Sequence, residues 1–338
     1  MDLPAPRYAA THEKPHGPGD ARPTALQIVR DEQRENGLVG KVILITGCSS
    51  GIGIETARAL KSTGATLFLT ARNLEKARVA LGDITDGDRV HLLHLNLESL
   101  ASVRACAAEF RQKSQALHVL INNAGVRHVP EGKTEDGFET HFAVNHLAHF
   151  LLFELLRPVL IASSTSSFQS RVVAVASTAH RQDPLRLDDL GWTKRAYDPS
   201  GAYGQSKLAN VYMANEIERR YGAQGLHAWS VHPGGIRTGL GGQGLSLDSL
   251  KIVIQSGPMN TLMVMQSPEQ GAATTAWAAV SRELEGKGGR YLERCQVSEP
   301  LVRKGFKPIS PGHAAWAYDE EAARNLYELS SEMTGLAT

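Results

Sequence analysis

Residues 41–60 read KVILITGCSSGIGIETARAL, and their order decides the fold. The run KVILIT (41–46) predicts a buried strand, and IETARAL after it predicts a helix. Between them lie Gly47, Gly51 and Gly53. A glycine-rich turn from strand to helix lets backbone N–H groups approach a pyrophosphate, with the partial positive charge of the helix N-terminus behind them. Chance supplies the pattern T-G-x-x-x-G-x-G roughly 0.02 times in a chain of this composition. The competing reading is a purely structural turn. The expectation is a dinucleotide loop made of Gly47, Ser49, Ser50, Gly51, Ile52 and Gly53.

Outward from this unit, strand-like and helix-like stretches alternate. TLFLTA (66–71), VHLLHL (90–95), HVLINN (118–123), RVVAVAS (171–177) and LHAWSVH (226–232) are short apolar runs, with segments such as ASVRACAAEFRQK and HFLLFELLRPVL between them. Strands without polar alternation are buried on both faces. The pattern predicts an α/β chain with a Rossmann-type, doubly wound parallel sheet of about seven strands, helices on both faces, in one domain. Residues 1–23, rich in Pro, Gly, His and charge, are expected to be disordered or loosely attached. A helical extension over 24–40 follows, with Leu26, Ile28 and Val29 on its apolar stripe and Gly37 as its stop. The catalytic domain is expected over 41–310, with an irregular insertion at 239–265, and a helical extension over 311–338. After the insertion a helix restarts, with Ser267 as N-cap, Pro268 at the first position and Gln270 completing a capping box.

Composition limits the partners. The 338 residues are 42% hydrophobic and 21% charged, enough apolar surface for a sizeable core. Lys plus Arg number 36 and Asp plus Glu 35, a formal net charge of +1, which gives no electrostatic reason to bind nucleic acid or an anionic membrane. Cys48, Cys106 and Cys295 are widely spaced and odd in number, so a reducing compartment is expected, with a cytoplasmic location. The N-terminus has no signal-peptide core, and runs such as VILI and FLLF are far shorter than the ~20 residues of a membrane span.

The second strand ends TAR, which puts Arg72 where an NAD-specific site places a carboxylate for the ribose 2′-hydroxyl. A guanidinium there grips a 2′-phosphate, so the expected cofactor is NADP(H). The competing reading of Arg72 is a solvated strand-end arginine. Further on, AYGQSKLAN (202–210) sets Tyr203 and Lys207 four apart, on one helical face. An ammonium beside a phenol favours the phenolate and lowers its pKa. Such pairs arise by chance roughly 0.3 times per chain, so the pair decides nothing alone.

Together these residues resemble the short-chain dehydrogenases/reductases over about residues 40 to 300. The match includes the glycine loop, Asn122-Asn123-Ala124-Gly125, Asn145, Ser177, Tyr203-x-x-x-Lys207 and Pro233-Gly234, all in order and each on the expected element. The 26 residues from Ser177 to Tyr203, and AYGQSKLAN itself, resemble the retinol-dehydrogenase-like branch. The segments GGRYLERCQVSEP and HAAWAYDEEAARNLYELS are similar to soluble fungal members, many of them tailoring enzymes of secondary metabolism. Two features of relatives are missing: the N-terminal membrane helix of membrane-bound retinol dehydrogenases and the tryptophan-pair module of WW-domain oxidoreductases.

The resemblance implies a catalytic set of Asn145, Ser177, Tyr203 and Lys207. Tyr203 would exchange a proton with the substrate oxygen as hydride passes between nicotinamide and carbon, and Ser177 would hydrogen-bond that oxygen. Lys207 would also bind the nicotinamide ribose, and Asn145 would hold a water relaying protons to Lys207. Asn96 stands where the family commonly has an aspartate against adenine, with Leu97 beside it. Asn123, Ala124 and Gly125 would line the adenosine ribose, and Pro233, Gly234, Ile236 and Thr238 the nicotinamide side. The implied activity interconverts a carbonyl and an alcohol on a hydrophobic small molecule, polyketide-, retinoid- or steroid-like, under the insertion as a lid. Homodimers through the helices bearing Asn145 and Tyr203 are common among relatives. Two other readings fit the fold: a nucleotide-binding regulatory protein without turnover, and an isomerase or dehydratase.

Other residues invite less. His141, His146 and His149 do not share one helical face, so no metal site is expected and packing or surface roles are. Cys48 lies where a helix N-terminus could acidify it, although a small packing residue is the plainer reading. Met259, Met263 and Met265 could cover an apolar substrate or simply pack.

Overall fold

The computed structural model describes residues 6–236, 262–302 and 310–336. Among these, one sheet of eight strands forms: β1 (Val42–Thr46), β2 (Thr66–Ala71), β3 (Val90–His94), β4 (Val119–Asn122), β5 (Ser170–Val175), β6 (Leu226–His232), β7 (Arg290–Glu293) and β8 (Gln296–Val297). Their order is β3-β2-β1-β4-β5-β6-β7-β8. The first seven are parallel and β8 returns antiparallel to β7. The sheet is therefore mixed and one strand larger than expected. Left-handed backbone at Arg294 and Cys295, both at φ 54°, turns the chain back into β8.

The helices are α1 (Ala9–Glu13), α2 (Ala25–Asp31), α3 (Ile52–Lys61), α4 (Leu74–Leu81), α5 (Leu100–Lys113), α6 (Thr140–Phe142), α7 (Ala148–Ser163), α8 (Pro199–Tyr221), α9 (Pro268–Gly271), α10 (Ala273–Val280) and α11 (Glu320–Met333). Strand alternation divides the core into two layers. Ile43 and Ile45 of β1 face one layer with Leu67, Ile121, Trp229 and the small residues of α10. Leu44 faces the other with Phe68, Leu120, Phe110 of α5 and Phe150 of α7. The two edge strands depart from two-sided burial: most of β3 is half-exposed, and so are both residues of β8.

Two expectations about the ends change. The described part of the arm, residues 6–23, is packed rather than loose. Arg22 is buried, ion-paired to Asp20 at 2.8 Å, and donates to the carbonyls of Val264, Met265 and Gly17. Its Pro/Gly composition reads as disorder because the stabilising partners lie some 240 residues away. Helix α2, capped by Thr24, buries Ala25, Ile28 and Val29 but ends at Asp31, ahead of Gly37. The capping box on α9 is present as read, with Ser267 and Gln270 bonded reciprocally.

At the other end α11 lies along α8 and against Phe150 of α7. It covers part of the faces through which pairing was expected. The continuous helix Thr140–Ser163 is the one stretch among the described residues long and apolar enough to cross a membrane, with mean hydropathy 1.3 and 56% of its window buried inside the chain.

Candidate active site at the carboxyl ends of the strands

The glycine loop closes against the end of β4. Thr46 Oγ1 accepts from the N–H groups of Asn123 and Ala124, at 2.9 and 3.0 Å, and Asn123 Nδ2 donates to Thr46 O at 2.8 Å. A Cβ on Gly53 would lie 2.3 Å from Gly47 O, and one on Gly47 2.7 Å from Ala124 Cβ. These two glycines therefore permit backbone-to-backbone approach. Gly51, at φ 64° and ψ −144°, caps α3 without a side-chain acceptor, which turns the first-turn N–H groups toward the loop. Ser49 is half-buried and Ser50 exposed at the loop crest. Ile52 and Ile236 both pack at Gly271, where a Cβ would be 3.1 Å from one and 2.2 Å from the other.

This cradle fits a dinucleotide pyrophosphate. Cys48 does not take the acidified role: complete burial pushes its thiol up to about 12. It packs in the core beneath the loop.

Where the adenosine end is expected, Arg72 follows β2, exposed, with Nη1 2.8 Å from the carboxylate of Glu98. Asn96 Oδ1 accepts from the N–H of Glu98 at 3.2 Å, and this leaves its amide N–H₂ for other partners. Leu97 packs on the second core layer. Glu98 was not anticipated, and a carboxylate two residues beyond Asn96 was the available signal.

Helix α8 carries Tyr203 and Lys207 into the space after β5. Asp198 caps it, accepting from the N–H groups of Ser200 and Gly201 at 3.0 and 2.9 Å, with Pro199 at its start. Gly204 lets it approach the turn after β5, where a Cβ would be 2.9 Å from Ala179 O. Tyr203 and Lys207 are both buried, and Ser177 hydrogen-bonds the Tyr203 side chain.

The electrostatics differ from the expectation. Burial holds the Lys207 ammonium down to about 7. Its Nζ donates to Val175 O at 2.9 Å and lies 5.7 Å from the Tyr203 ring centroid. Burial raises the Tyr203 phenol, opposed by the charge of Arg127 and by the Ser177 bond. The helical spacing puts the lysine nearby, and desolvation opposes the charge that is to act on the phenol.

Asn145 sits in a π-turn, Ala143–Leu147, between α6 and α7, the kind of helix defect often found at functional sites. Its side chain is fully engaged: Oδ1 accepts from Val126 N at 2.8 Å, and Nδ2 donates to Val126 O and Ser206 Oγ at 3.0 and 2.9 Å. Gly125 borders both Asn145 and Lys207, since a Cβ there would be 2.9 Å from Asn145 Oδ1 and 3.4 Å from Lys207 Nζ.

The three histidines are all buried and face different partners. His149 Nδ1 donates to Asn145 O at 3.1 Å, so Nε2 receives the Thr46 hydroxyl at 2.9 Å. His146 Nε2 pairs with Ser330 Oγ of α11 at 2.8 Å. His141 Nδ1 faces buried Glu139 at 2.9 Å, and Tyr197 OH donates to the same carboxylate oxygen at 3.0 Å. His141 Nε2 accepts from Val129 N at 3.3 Å.

Where the nicotinamide side is expected, Gly234, at φ 92°, passes so close to Gln266 that a Cβ would sit 1.7 Å from its Nε2. Gln266 Nε2 donates to Pro233 O at 3.2 Å, while Gln266 N donates to Gly235 O at 2.8 Å. Met265 Sδ lies 3.3 Å from where a Gly235 Cβ would be. Thr238, Met259 and the insertion up to residue 261 lie outside the described residues.

A family model described as short chain dehydrogenase matches residues 41–245. The short-chain dehydrogenase/reductase prx1 of Penicillium roqueforti is 45% identical over 98% of this chain and 96% of its own. Human retinol dehydrogenase 13 is 39% identical over 88% of this chain and 85% of its own. Among solved structures, a putative uncharacterized protein from Mycobacterium paratuberculosis superposes with a TM-score of 0.65 at 32% identity, covering 88% of this chain and 95% of that one. The chain belongs to the short-chain dehydrogenase/reductase family of oxidoreductases, as a retinol-dehydrogenase-like member.

Proposed function

We propose that this oxidoreductase interconverts a carbonyl and an alcohol on a hydrophobic small molecule with NADP(H), in a reducing, cytoplasmic setting, with Tyr203 as general acid and base. The observation that carries the reading is the Tyr203 phenol, buried beside Ser177 and Lys207. Gly47, Ser49, Ser50, Gly51, Ile52 and Gly53 would hold the pyrophosphate. Arg72 would take the 2′-phosphate, Asn96 and Leu97 the adenine, and Asn123, Ala124 and Gly125 the ribose. Pro233, Gly234, Ile236 and Thr238 would form the nicotinamide wall. The bound cofactor supplies or accepts hydride at the substrate carbon.

The chain's own residues handle the proton. In reduction Tyr203 gives its phenolic proton to the carbonyl oxygen, which Ser177 polarises by hydrogen bonding. In oxidation the phenolate takes the alcohol proton. Lys207, close to half protonated at neutral pH, is suited to refill or drain the phenol, and Asn145 fixes the Val126 backbone beside it. The likeness to a retinol dehydrogenase supports an apolar alcohol or aldehyde, as do Met263 and Met265 at the described edge of the insertion. The likeness to prx1 of Penicillium roqueforti supports a fungal-type member, and a polyketide-like substrate of secondary metabolism is part of the proposal. A homodimer would have to use what α11 leaves uncovered on α7 and α8.

The test is Tyr203→Phe against a panel of apolar aldehydes and ketones with NADPH. Turnover falls by about a hundredfold or more while NADPH affinity stays within about threefold, because a general acid typically contributes ~10²–10⁴. Wild-type-like activity in this variant rejects the mechanism.

A further inference from the structure

Arg127 stands at the candidate active site without a task in the proton chemistry above. We propose that Arg127 anchors a carboxylate of the substrate, which makes that substrate an apolar carbonyl or alcohol compound that also bears an acid group. The guanidinium carbon of Arg127 lies 5.5 Å from the Tyr203 ring centroid. Among the described residues Arg127 has no ion-pair partner, and its Nε is buried with no acceptor. A ring face attracts the charge of a guanidinium but leaves the N–H groups in its plane to find acceptors elsewhere. A carboxylate bound side-on takes Nε–H and one Nη–H together, and it supplies the missing charge as well.

The loop that carries Arg127 is held on both sides. On one side Val126 is gripped through both its N–H and its carbonyl by Asn145, at 2.8 and 3.0 Å. On the other, Val129 N donates to His141 Nε2 at 3.3 Å, and His141 is braced by Glu139 and Tyr197. Backbone fixed at 126 and 129 limits where the guanidinium can go, so a ligand binds it with less loss of conformational freedom. Tyr203 is buried as well. A carbonyl held at its phenol therefore places the rest of its own molecule within reach of Arg127.

The buried acid nearby is already occupied. Glu139 accepts from the N–H groups of His141 and Phe142 at 2.9 and 2.7 Å, and it also faces the His141 ring and the Tyr197 hydroxyl. The class of anion follows from charge and shape. One guanidinium balances one negative charge, and its planar fork matches the two oxygens of a carboxylate. A phosphate monoester carries about −1.5 to −2 at pH 7, more than Arg127 alone can balance. Lys207, with Nζ on Val175 O at 2.9 Å, is committed to the end of β5.

The test is a comparison of matched probes. Dissociation constants are measured on the full chain with NADP⁺ by tryptophan fluorescence, for decanoate against decan-1-ol, for retinoate against retinol, and for decyl phosphate. In at least one pair the carboxylate should bind about tenfold or more tightly than its neutral partner, as a charge-assisted pair requires. Arg127→Met should erase that preference and leave the neutral probe within about twofold, while Arg127→Lys keeps part of it. Circular dichroism checks that both variants fold, and Arg127→Gln replaces the Met variant under the same criterion if that one does not. A wild-type chain that favours neither carboxylate overturns the proposal, as does a preference that survives in the neutral variant. Decyl phosphate bound more tightly than decanoate overturns it too, in favour of a phosphate. That the anchor serves the reacting molecule rests on the proposed function, and kcat/KM with NADPH for 10-oxodecanoate against its methyl ester reads that part. A carboxylate preference in binding without turnover of either aldehyde faults the reaction and leaves the anchor standing. Turnover of both with equal kcat/KM overturns the substrate class.

Discussion

Lys207 Nζ donates to the carbonyl oxygen of Val175 at 2.9 Å, which ties the middle of α8 to the end of β5 through a buried amine. Burial lowers this lysine from 10.5 to about 7. The unfolded chain therefore binds the proton more strongly throughout that window, and stability rises with pH from about 7 to 10.5. Below pH 7 the cost of burying the ammonium is complete; above 10.5 it vanishes. Lys207→Met should consequently stabilise the fold by up to a few kcal/mol at pH 6, at ~1.36 kcal/mol per pKa unit. The gain should fade toward pH 10.5. Denaturant midpoints at several pH values check this, and a gain that is independent of pH contradicts it.

The Arg72–Glu98 pair sets a second expectation. At 2.8 Å and largely exposed, the pair itself contributes ~0–1 kcal/mol, yet Glu98 competes with any 2′-phosphate for the guanidinium. Glu98→Gln should tighten NADPH binding several-fold and leave NADH binding nearly unchanged. Arg72→Ala should weaken NADPH binding by about tenfold, the loss of a charge-assisted pair. Isothermal titration with both nucleotides measures it, and a constant NADPH-to-NADH ratio in Arg72→Ala removes the NADP(H) assignment.

Arg22 holds the far side of the site in place. It joins the arm to the carbonyls of Val264 and Met265, whose neighbour Gln266 contacts Pro233 and Gly235. Arg22→Ala leaves Asp20 without its cation and takes the Arg22 donor from the Val264 and Met265 carbonyls, so roughly 2–4 kcal/mol of stability should go. Hydrogen exchange should accelerate over residues 262–271 and at Ile236, ahead of the sheet. Protection unchanged there shows that the arm is not a support.

His149 links the glycine loop to Asn145 with a neutral ring, since burial lowers it to about 4. His149→Phe keeps the volume but leaves the Thr46 hydroxyl and the Asn145 carbonyl each short of a partner, at ~1–3 kcal/mol apiece. Thermal stability should fall, and by the same amount at pH 6 and pH 8 because the ring does not titrate between them. A loss that grows as pH rises or falls across that interval identifies a charged histidine.

Local order explains what could be read in advance. The strand–loop–helix unit at 41–60, the capped start of α9 and the Tyr203–Lys207 spacing depend on neighbours within a turn or two. Periodicity and turn chemistry report those reliably. The short β8 depends on left-handed backbone at Arg294 and Cys295, which those residue types do not advertise. The ordered arm depends on Arg22 meeting Val264 and Met265. The guanidinium over the Tyr203 ring comes from a loop 76 positions earlier, at Arg127, reached only once β4 and β5 lie side by side.

By itself the sequence determined the family, the doubly wound sheet and the identities of the residues that meet at its carboxyl edge, because hydrophobic period and glycine placement act locally. Tertiary structure alone decided how those residues are charged. Burial strips Lys207 of much of its proton and raises Tyr203, and only the folded loop brings Arg127 within 5.5 Å of the ring. Desolvation and Coulomb forces depend on what surrounds a group in space, which spacing along the chain does not encode.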